Sequence, residues 1–445
     1  VTGAPDMRRG STPTMGLGCF LEAGGQHMAG WRHPSANAHA SLDLPFIAEM
    51  AQLCERGLMD AVFLPDSLAP WVGDLDVMSR TTRGEHFEPT TLLAALSSVT
   101  ERIGLVATAT TTYNEPYHVA RKFASLDHLS GGRTGWNLVT SLVPSESRSF
   151  GTAPFPSREE RYERAEEFIG VVKRLWDSYS DGAMLRDETT GRFYDPGELR
   201  LTEHRGKHFA VRGPLNLSRP PQGHPVVFQA GNSPRGRDFA ARHGEVLFTA
   251  QSDLGEAKDY YRDIKERASA VGRDPDHVHI WRGFAPLIAA TQAEADAMME
   301  ELNGLVHEDV MWDLVKGPLA EVDFSGRTLD DPLPELADTE DSRQDLLHGM
   351  AGLNRPTIRE IALQAAGAGV VVGSPERIAD ELQEWFEAPA TDGFLLSFPF
   401  LPSNLRLFVD EVVPELQRRG LYRTEYAGLT LRENLGLPRP KEVWR

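Results

Sequence analysis

The stretch Gly231-Asn232-Ser233-Pro234-Arg235-Gly236-Arg237 has the composition of an anion seat. It joins an apolar run, Pro225 to Ala230, to a helical pattern, Ser233 to His243. The first N–H groups of a helix lack intrahelical partners, and the helix dipole favours negative charge there. Gly231 allows close approach, Asn232 and Ser233 offer side-chain donors, and Arg235 or Arg237 adds charge. A phosphate suits that chemistry. An ordinary role fits the same residues, with Ser233 capping its own helix.

Other polar residues follow apolar runs in the same way. Asp66 comes after Phe63-Leu64-Pro65. Thr108, Thr110, Thr111 and Thr112 end or follow the run beginning at Ile103. Asn137 and Ser141 do so for the run beginning at Trp136. Polar residues at successive strand ends are what a shared pocket requires, although strands often end in polar residues anyway. Trp31, Phe20, Trp136 and Tyr162 are large enough to wall a flat ligand or to fill a core. His27, His33 and His39 surround Trp31 and Arg32 and are candidates for lining a pocket, whereas His118 reads as a structural helix residue.

Several chemistries find no support. The 14 histidines include no His-Glu-x-x-His, and no His/Asp/Glu cluster has metal-site spacing, so no metal is expected. No Gly-x-Ser-x-Gly elbow is present. Cys19 and Cys54 form neither a Cys-x-x-Cys pair nor a disulfide framework. No carboxylate pair is singled out by spacing, although a barrel glycosidase is not excluded on that ground.

The elements that must position these residues alternate. Strands are expected at 15–20, 60–64, 103–109, 136–139, 225–230, 245–248, within 278–289 and at 392–397. Helices are expected at 42–56, 90–99, 116–129, around Tyr162 to Trp176, and at 233–243, 253–270 and 291–303. A further helix opens at Ser374-Pro375, and the last spans 403–419 with a kink at Pro414. Residues 178–224 and 304–372 read as irregular, the latter acidic around 330–345. The tail after Gly420 reads as extended and polar. About eight βα units imply an α/β chain folded as one (β/α)8 TIM barrel over 1–445. It carries large insertions at about 178–224 and 304–372 and a C-terminal extension at about 420–445. A doubly wound sheet is the alternative, but no Gly-x-Gly-x-x-Gly follows an early strand.

Composition narrows the partners. In 445 residues, 46 Lys and Arg face 65 Asp and Glu, for a net charge of −19. Long-range repulsion then opposes nucleic-acid binding, though a local pocket can still be positive. No window of 18 apolar residues suggests a membrane span, and Val1 to Gly10 has no apolar targeting core, so a cytoplasmic protein is expected.

Longer motifs carry a resemblance. These are Trp31-Arg32-His33-Pro34, Thr112 to Arg121 (TYNEPYHVAR), Leu126 to Arg133 (LDHLSGGR), Gly135 to Ser141 (GWNLVTS), Arg161 to Phe168 (RYERAEEF), Gln229-Ala230-Gly231, Asp392-Gly393-Phe394 and Pro414 to Gly420 (PELQRRG). Together they resemble the flavin-dependent monooxygenases of the bacterial luciferase-like superfamily. The match is to the group of nitrilotriacetate monooxygenase component A, dibenzothiophene-sulfone monooxygenase and long-chain alkane monooxygenase, from about residue 14 to 437. The resemblance implies a two-component enzyme using reduced FMN (FMNH₂) from a separate NAD(P)H:FMN reductase. O₂ is the co-substrate, and a C4a-(hydro)peroxyflavin oxygenates a small organic substrate. It implies that Asp66 and Thr110 flank the isoalloxazine, with Thr108 an alternative to Thr110 because strand residues alternate between faces. Asn137 and Ser141 lie near the ring, and Tyr162 and Ser233 bind the phosphate beside Gly231 and Asn232. His27, Trp31 and His33, with Phe20, shape the substrate side as catalytic candidates, His27 contacting the intermediate or substrate. The insertions serve as a cover for the mouth or as surface decoration. A homodimer or homotetramer is also implied.

The chain departs from the pattern in places. Pro65 stands where several relatives have Ala, and Asn232 where a second Ser is common. Gly367 to Val370 lacks a His that some relatives carry nearby. Two rival functions share the barrel: a deazaflavin (F420)-dependent oxidoreductase and a non-catalytic flavin- or ligand-binding protein. The aromatic residues tilt the substrate toward a hydrophobic or aromatic molecule.

Overall fold

The computed structural model describes residues 14–69, 74–151, 154–334 and 356–444. Nine strands form one parallel sheet. They are β1 (Gly16–Phe20), β2 (Ala61–Leu64), β3 (Gly104–Thr110), β4 (Thr134–Val139), β5 (Val226–Gln229), β6 (Val246–Thr249), β7 (His279–Ile288), β8 (Val370–Gly373) and β9 (Gly393–Leu396). All except β8 close into an eight-stranded barrel. The ring runs β1 to β7 in chain order, then β9, which pairs back onto β1. β7 is long enough to serve two neighbours. Trp281 to Phe284 pair with β9, and Ala285 to Ile288 pair with β8 outside the ring.

Helices pack around it: α1 (Leu44–Arg56), α2 (Pro89–Leu96), α3 (Pro116–Leu129), α4 (Arg158–Trp176), α5 (Pro234–His243), α6 (Leu254–Ala270), α7 (Gln292–Gly304), α8 (Glu308–Lys316), α9 (Ile358–Ala366) and α10 (Pro375–Glu387). Their starts are written in the sequence. Ser157 and Glu160 form a capping box on α4, Asp43 caps α1, and Ser374 caps α10 ahead of Pro375. None of the helices among the described residues is long and apolar enough to cross a membrane.

The pleat sorts strand residues into two cores. Val62, Leu64, Leu105, Ala107, Trp136, Leu138 and Val227 face the helices. Phe63, Val106, Phe228, Val246, Trp281 and Leu395 face inward with Phe20 and Phe248. The inward rings stack across the barrel: Phe20 on Phe63 (5.5 Å), Phe63 on Phe228 (6.0 Å) and Phe228 on Trp281 (5.9 Å). Trp281 fits because β1 is glycine-rich. A Cβ on Gly16 or Gly18 would stand 2.8 or 2.7 Å from the indole.

The end of the barrel where the strands begin is sealed by charge and by the C-terminal segment. Arg133 is buried and donates to Ser130 O, Ile103 O, Thr100 O and Ser97 O. Asp127 accepts from Thr134 N and Gln222. The Leu126 to Arg133 motif is therefore scaffold at this point of the fold. The expectation of an extended, polar tail after Gly420 is corrected. Leu431, Leu435 and Leu437 enter the inward core, and Arg432 is buried on Glu245 and His224 O. The apolar residues there are too few for a periodic signal, yet one helical turn, Leu431–Asn434, suffices to aim them.

Two further expectations are corrected. The stretch 304–372 is not wholly irregular: α8, α9 and β8 lie in it, and α8 and α9 pack a separate small core with Ala29. Short elements carry too few turns for periodicity to register. Of its acidic portion, residues 335–355 lie outside the described residues. The last helix is interrupted ahead of Pro414 rather than kinked at it. A π turn, Phe408–Val412, separates Ser403–Leu407 from Val413–Arg418, in which Pro414 takes the first turn. Proline has no N–H for the upstream ladder, and the widened turn absorbs the missing bond.

The barrel interior generates a stability prediction. Gly18→Ala forces a methyl onto Trp281 and is expected to cost about 1–3 kcal/mol in urea denaturation. Gly18→Ala with Trp281→Phe should recover part of that loss. An unchanged midpoint for the single variant contradicts this packing.

Candidate active site

The stretch Gly231 to Arg237 joins the end of β5 to the start of α5 as one tight turn. Ser233 is the extended N-cap of α5 and accepts from Gly236 N (3.1 Å). Capping uses one lone pair of its oxygen and leaves the hydroxyl proton free to donate, so the two roles are compatible. The Tyr162 hydroxyl of α4 points at the same turn, 2.8 Å from where a Gly236 Cβ would stand. Gly231 packs on Gly236, where a Cβ would come within 3.0 Å of Gly236 Cα. Arg237 is committed elsewhere, to Asn232 O (2.9 Å) and Asp263 (3.0 Å). Arg235 lies over the Tyr162 ring, and its Nε has no hydrogen-bond partner, with Glu159 at 3.5 Å. The unit follows the fifth barrel strand, as the sequence count expects.

The polar rim begins one layer above the ring stack. Thr108 donates to Leu64 O (2.8 Å) and accepts from Asn137 Nδ2 (2.9 Å). Thr110 and Ser141 share a hydrogen bond of 2.8 Å, and Thr112 N donates to the same Thr110 oxygen (3.1 Å). The expectation that alternation of faces separates Thr108 from Thr110 is corrected. Two residues apart on one strand, they face the same side in successive layers. Ser141 holds φ at +56°, a left-handed conformation that strains a non-glycine residue and clusters at functional sites. Trp136 does not wall a ligand. The pleat turns it outward into the helix core, against Phe123, Phe168 and Trp176, with Nε1 donating to Ala109 O (3.0 Å).

Asp66 lies just past β2, and its Oδ1 is 3.2 Å from His86 Nε2. That hydrogen bond raises the His86 pKa above the ordinary imidazole value. Sequence reasoning missed His86, since no spacing links it to Asp66. It also missed a group at the β3 and β4 mouths. Tyr113, Glu146 and Arg161 each keep a buried atom (Oη, Oε2 and Nε) without a hydrogen-bond partner. Burial pushes the Tyr113 phenol up and the Arg161 guanidinium down. Burial of polar groups without partners was the signal, and it is invisible before folding.

His27, Trp31 and His33 lie on the segment following β1, beside α7 and the α8–α9 insertion. His27 is buried. Its Nδ1 accepts from Ala29 N (3.1 Å) and its Nε2 stands 3.4 Å from Asn303 Oδ1, which assigns a neutral ring with the proton on Nε2. Burial lowers its pKa to about 4. His33 stacks on Phe400 at 3.9 Å. Trp31 lines a cavity between this segment and the insertion. None of the three bonds directly to Thr110, Asn137 or Ser141.

A closed eight-stranded parallel barrel with a polar rim above a ring-filled interior is the architecture of an α/β-barrel enzyme. The chain belongs to the luciferase-like monooxygenases, whose family model matches residues 26–392. It is an enzyme, a flavin-using oxygenase acting on a small substrate. It is 46% identical to N-acetyl-S-(2-succino)cysteine monooxygenase of Bacillus subtilis over 95% of this chain and 97% of that protein. It is 45% identical to nitrilotriacetate monooxygenase component A of Aminobacter aminovorans over 97% of this chain and 98% of that one. Among solved structures, a riboflavin lyase with modified FMN and substrate riboflavin superposes with a TM-score of 0.82. It has 32% identity and covers 96% of both chains.

The Asp66–His86 pair has a defined pH signature. A raised imidazole pKa means the His86 charge, and its pull on Asp66, is present at low pH and lost as pH rises through the elevated value. An NMR titration of His86 should show that value fall in Asp66→Asn. An unchanged titration shows that Asp66 does not set it.

Proposed function

We propose that this chain is the oxygenase of a two-component monooxygenase, taking FMNH₂ from a separate NAD(P)H:FMN reductase and O₂ from solution. The observation that carries this reading is the convergence of the Ser233 hydroxyl, the Tyr162 hydroxyl and the N-terminus of α5 on one turn at the mouth of the barrel. It is the chemistry of a phosphomonoester site, and the nitrilotriacetate relative is named as one component of a larger system.

The residues present fit a flavin phosphate and ring. The phosphate takes the Ser233 hydroxyl, the Tyr162 hydroxyl and the α5 dipole, with Asn232 and Gly231 closing the turn. Arg235, whose Nε lies 3.5 Å from Glu159, would add its charge beside the turn. Asn137, Thr110 and Ser141, which present polar atoms at the rim, would hold the ring system, with Asp66 at one edge. Bound FMNH₂ supplies the electrons that activate O₂, so that one oxygen atom enters the substrate and the other leaves as water. The protein positions the ring and excludes water. Phe20 and Phe63 make the floor beneath the rim apolar. The His27 ring, neutral around pH 7, brings no positive charge to the substrate side.

Anaerobic titration tests the phosphate assignment. Ser233→Ala and Tyr162→Phe should each weaken FMNH₂ binding about tenfold, with reduced riboflavin, which lacks the phosphate, unaffected. Equal losses for both flavins place the phosphate elsewhere. With a flavin reductase and NAD(P)H present, the wild-type chain should incorporate one atom of ¹⁸O₂ into its substrate. Consumption of O₂ with no incorporation into any tested compound counts against the oxygenase assignment.

A further inference from the structure

The turn that leaves β3 is held by a residue of another element. Arg164 on α4 donates from Nε to Thr111 O (3.0 Å) and from Nη2 to Asn114 O (3.1 Å). Asn114 Nδ2 in turn donates to Thr110 O (2.9 Å). One planar guanidinium thus bridges two carbonyls of the same turn. Lysine, a single ammonium on a flexible stem, does not reproduce that fork.

The excursion 178–224 stands behind this arginine. Within it, His204–Arg205 pairs antiparallel with Ala210–Val211 as a short ribbon, and Phe209 sits at its turn. The Arg164 guanidinium lies over the Phe209 ring at 4.3 Å, a cation–π contact. Glu167, three residues further along α4, accepts from His208 N and Phe209 N (both 2.9 Å) and lies 2.8 Å from His204 Nε2. The Phe209 ring is buried and meets Phe168 edge-on at 5.5 Å. The ribbon is therefore fixed to α4 through Arg164, Glu167 and Phe168, and the first of these holds the β3 turn.

What that turn carries is the polar rim. The Thr110 hydroxyl shares a hydrogen bond with Ser141 (2.8 Å) and accepts from Thr112 N (3.1 Å), while Thr112 Oγ1 donates to Thr140 O (2.7 Å). Hydrogen bonds weaken over a few tenths of an ångström and with misalignment, so a turn that shifts carries the Thr110–Ser141 couple out of place. Tyr162 stands on the same helix, two residues before Arg164, with its hydroxyl at the α5 turn. One helix thus reaches both the α5 turn and the β3 turn.

We infer that Arg164 is a positioning residue for the ring side of the cofactor site, with the Phe209 ribbon as its backing. It acts through the Thr111 and Asn114 carbonyls on Thr110, and α4 thereby sets the span between the Ser233–Tyr162 turn and the Thr110–Ser141 rim. The inference rests on the flavin reading of the site and assigns a part of it to residues outside the rim.

Two measurements on the full chain test it. In anaerobic titrations, Arg164→Gln should weaken FMNH₂ and reduced riboflavin alike, each about tenfold, because the ring is common to both. Arg164→Lys should recover part of the loss, and Phe209→Leu, which keeps an apolar contact and removes the ring face, should lose several-fold. In a Thr110→Val background Arg164→Gln should cost little more, since the route runs through that hydroxyl. Hydrogen exchange of the flavin-free chain gives a second readout: amides 110–114 should exchange about tenfold faster in Arg164→Gln, with β1 unchanged. Additive losses in the double variant overturn the inference, as does wild-type flavin affinity in Arg164→Gln. Unchanged exchange at 110–114 also overturns it, and so does faster exchange spread over every strand, which marks a general stability role. A wild-type chain that binds neither flavin removes the flavin reading and the cofactor role with it, while exchange still decides whether Arg164 holds the turn.

Discussion

The interior of this barrel is filled by rings. Phe20, Phe63, Phe228 and Trp281 meet edge and face across its axis, and no room is left for a ligand at that depth. Everything polar is thereby displaced to the layer above. Thr108 and Asn137 form the first polar level, Thr110 and Ser141 the next, and the α5 turn stands at the side. The small β1 residues Gly16 and Gly18 are part of the same constraint, because the indole occupies the space their side chains would need. A flat cofactor placed at the mouth meets a hydrocarbon floor and a hydrogen-bonding rim. That combination holds a ring and limits the approach of water.

Charge is distributed with similar economy of position. The chain as a whole is strongly acidic, and even at the α5 turn Arg237 pairs with Asp263 and Arg235 lies 3.5 Å from Glu159. Elsewhere the arginines are spoken for: Arg133 by backbone oxygens, Arg219 by Asp177 at 2.7 Å, and Arg432 by Glu245. Low local dielectric makes such pairs strong once folded and makes the unpaired groups the ones that respond to a ligand.

The barrel was legible because its signals are periodic and repeated. Eight apolar runs alternating with helical stripes, and helix starts such as Ser374-Pro375, are local chemistry that needs no tertiary context. The α5 turn was legible for the same reason, since glycine, a capping hydroxyl and a helix start occupy one short stretch. Trp136 was not, because a large aromatic on a strand suits either face and only the pleat decides. His86 was not, because its partner Asp66 is brought near by the return of the chain from β2. Nor was the role of Leu431, Leu435 and Leu437, whose environment is supplied entirely by strands made earlier. The α8–α9 core is a similar case, with helices too short to announce themselves.

The placement of those leucines carries a consequence for biosynthesis. Synthesis is vectorial, yet β1 closes onto β9, and the leucines that complete the inward core are made after every strand. Until residue 437 has been made, the nascent barrel is an incomplete ring with an open base and exposed phenylalanines, the kind of surface that chaperones hold. The polar rim above that core is thus assembled late and as a whole. A ribosome that stalls in the last stretch releases a chain with all of its strands and an unsealed core.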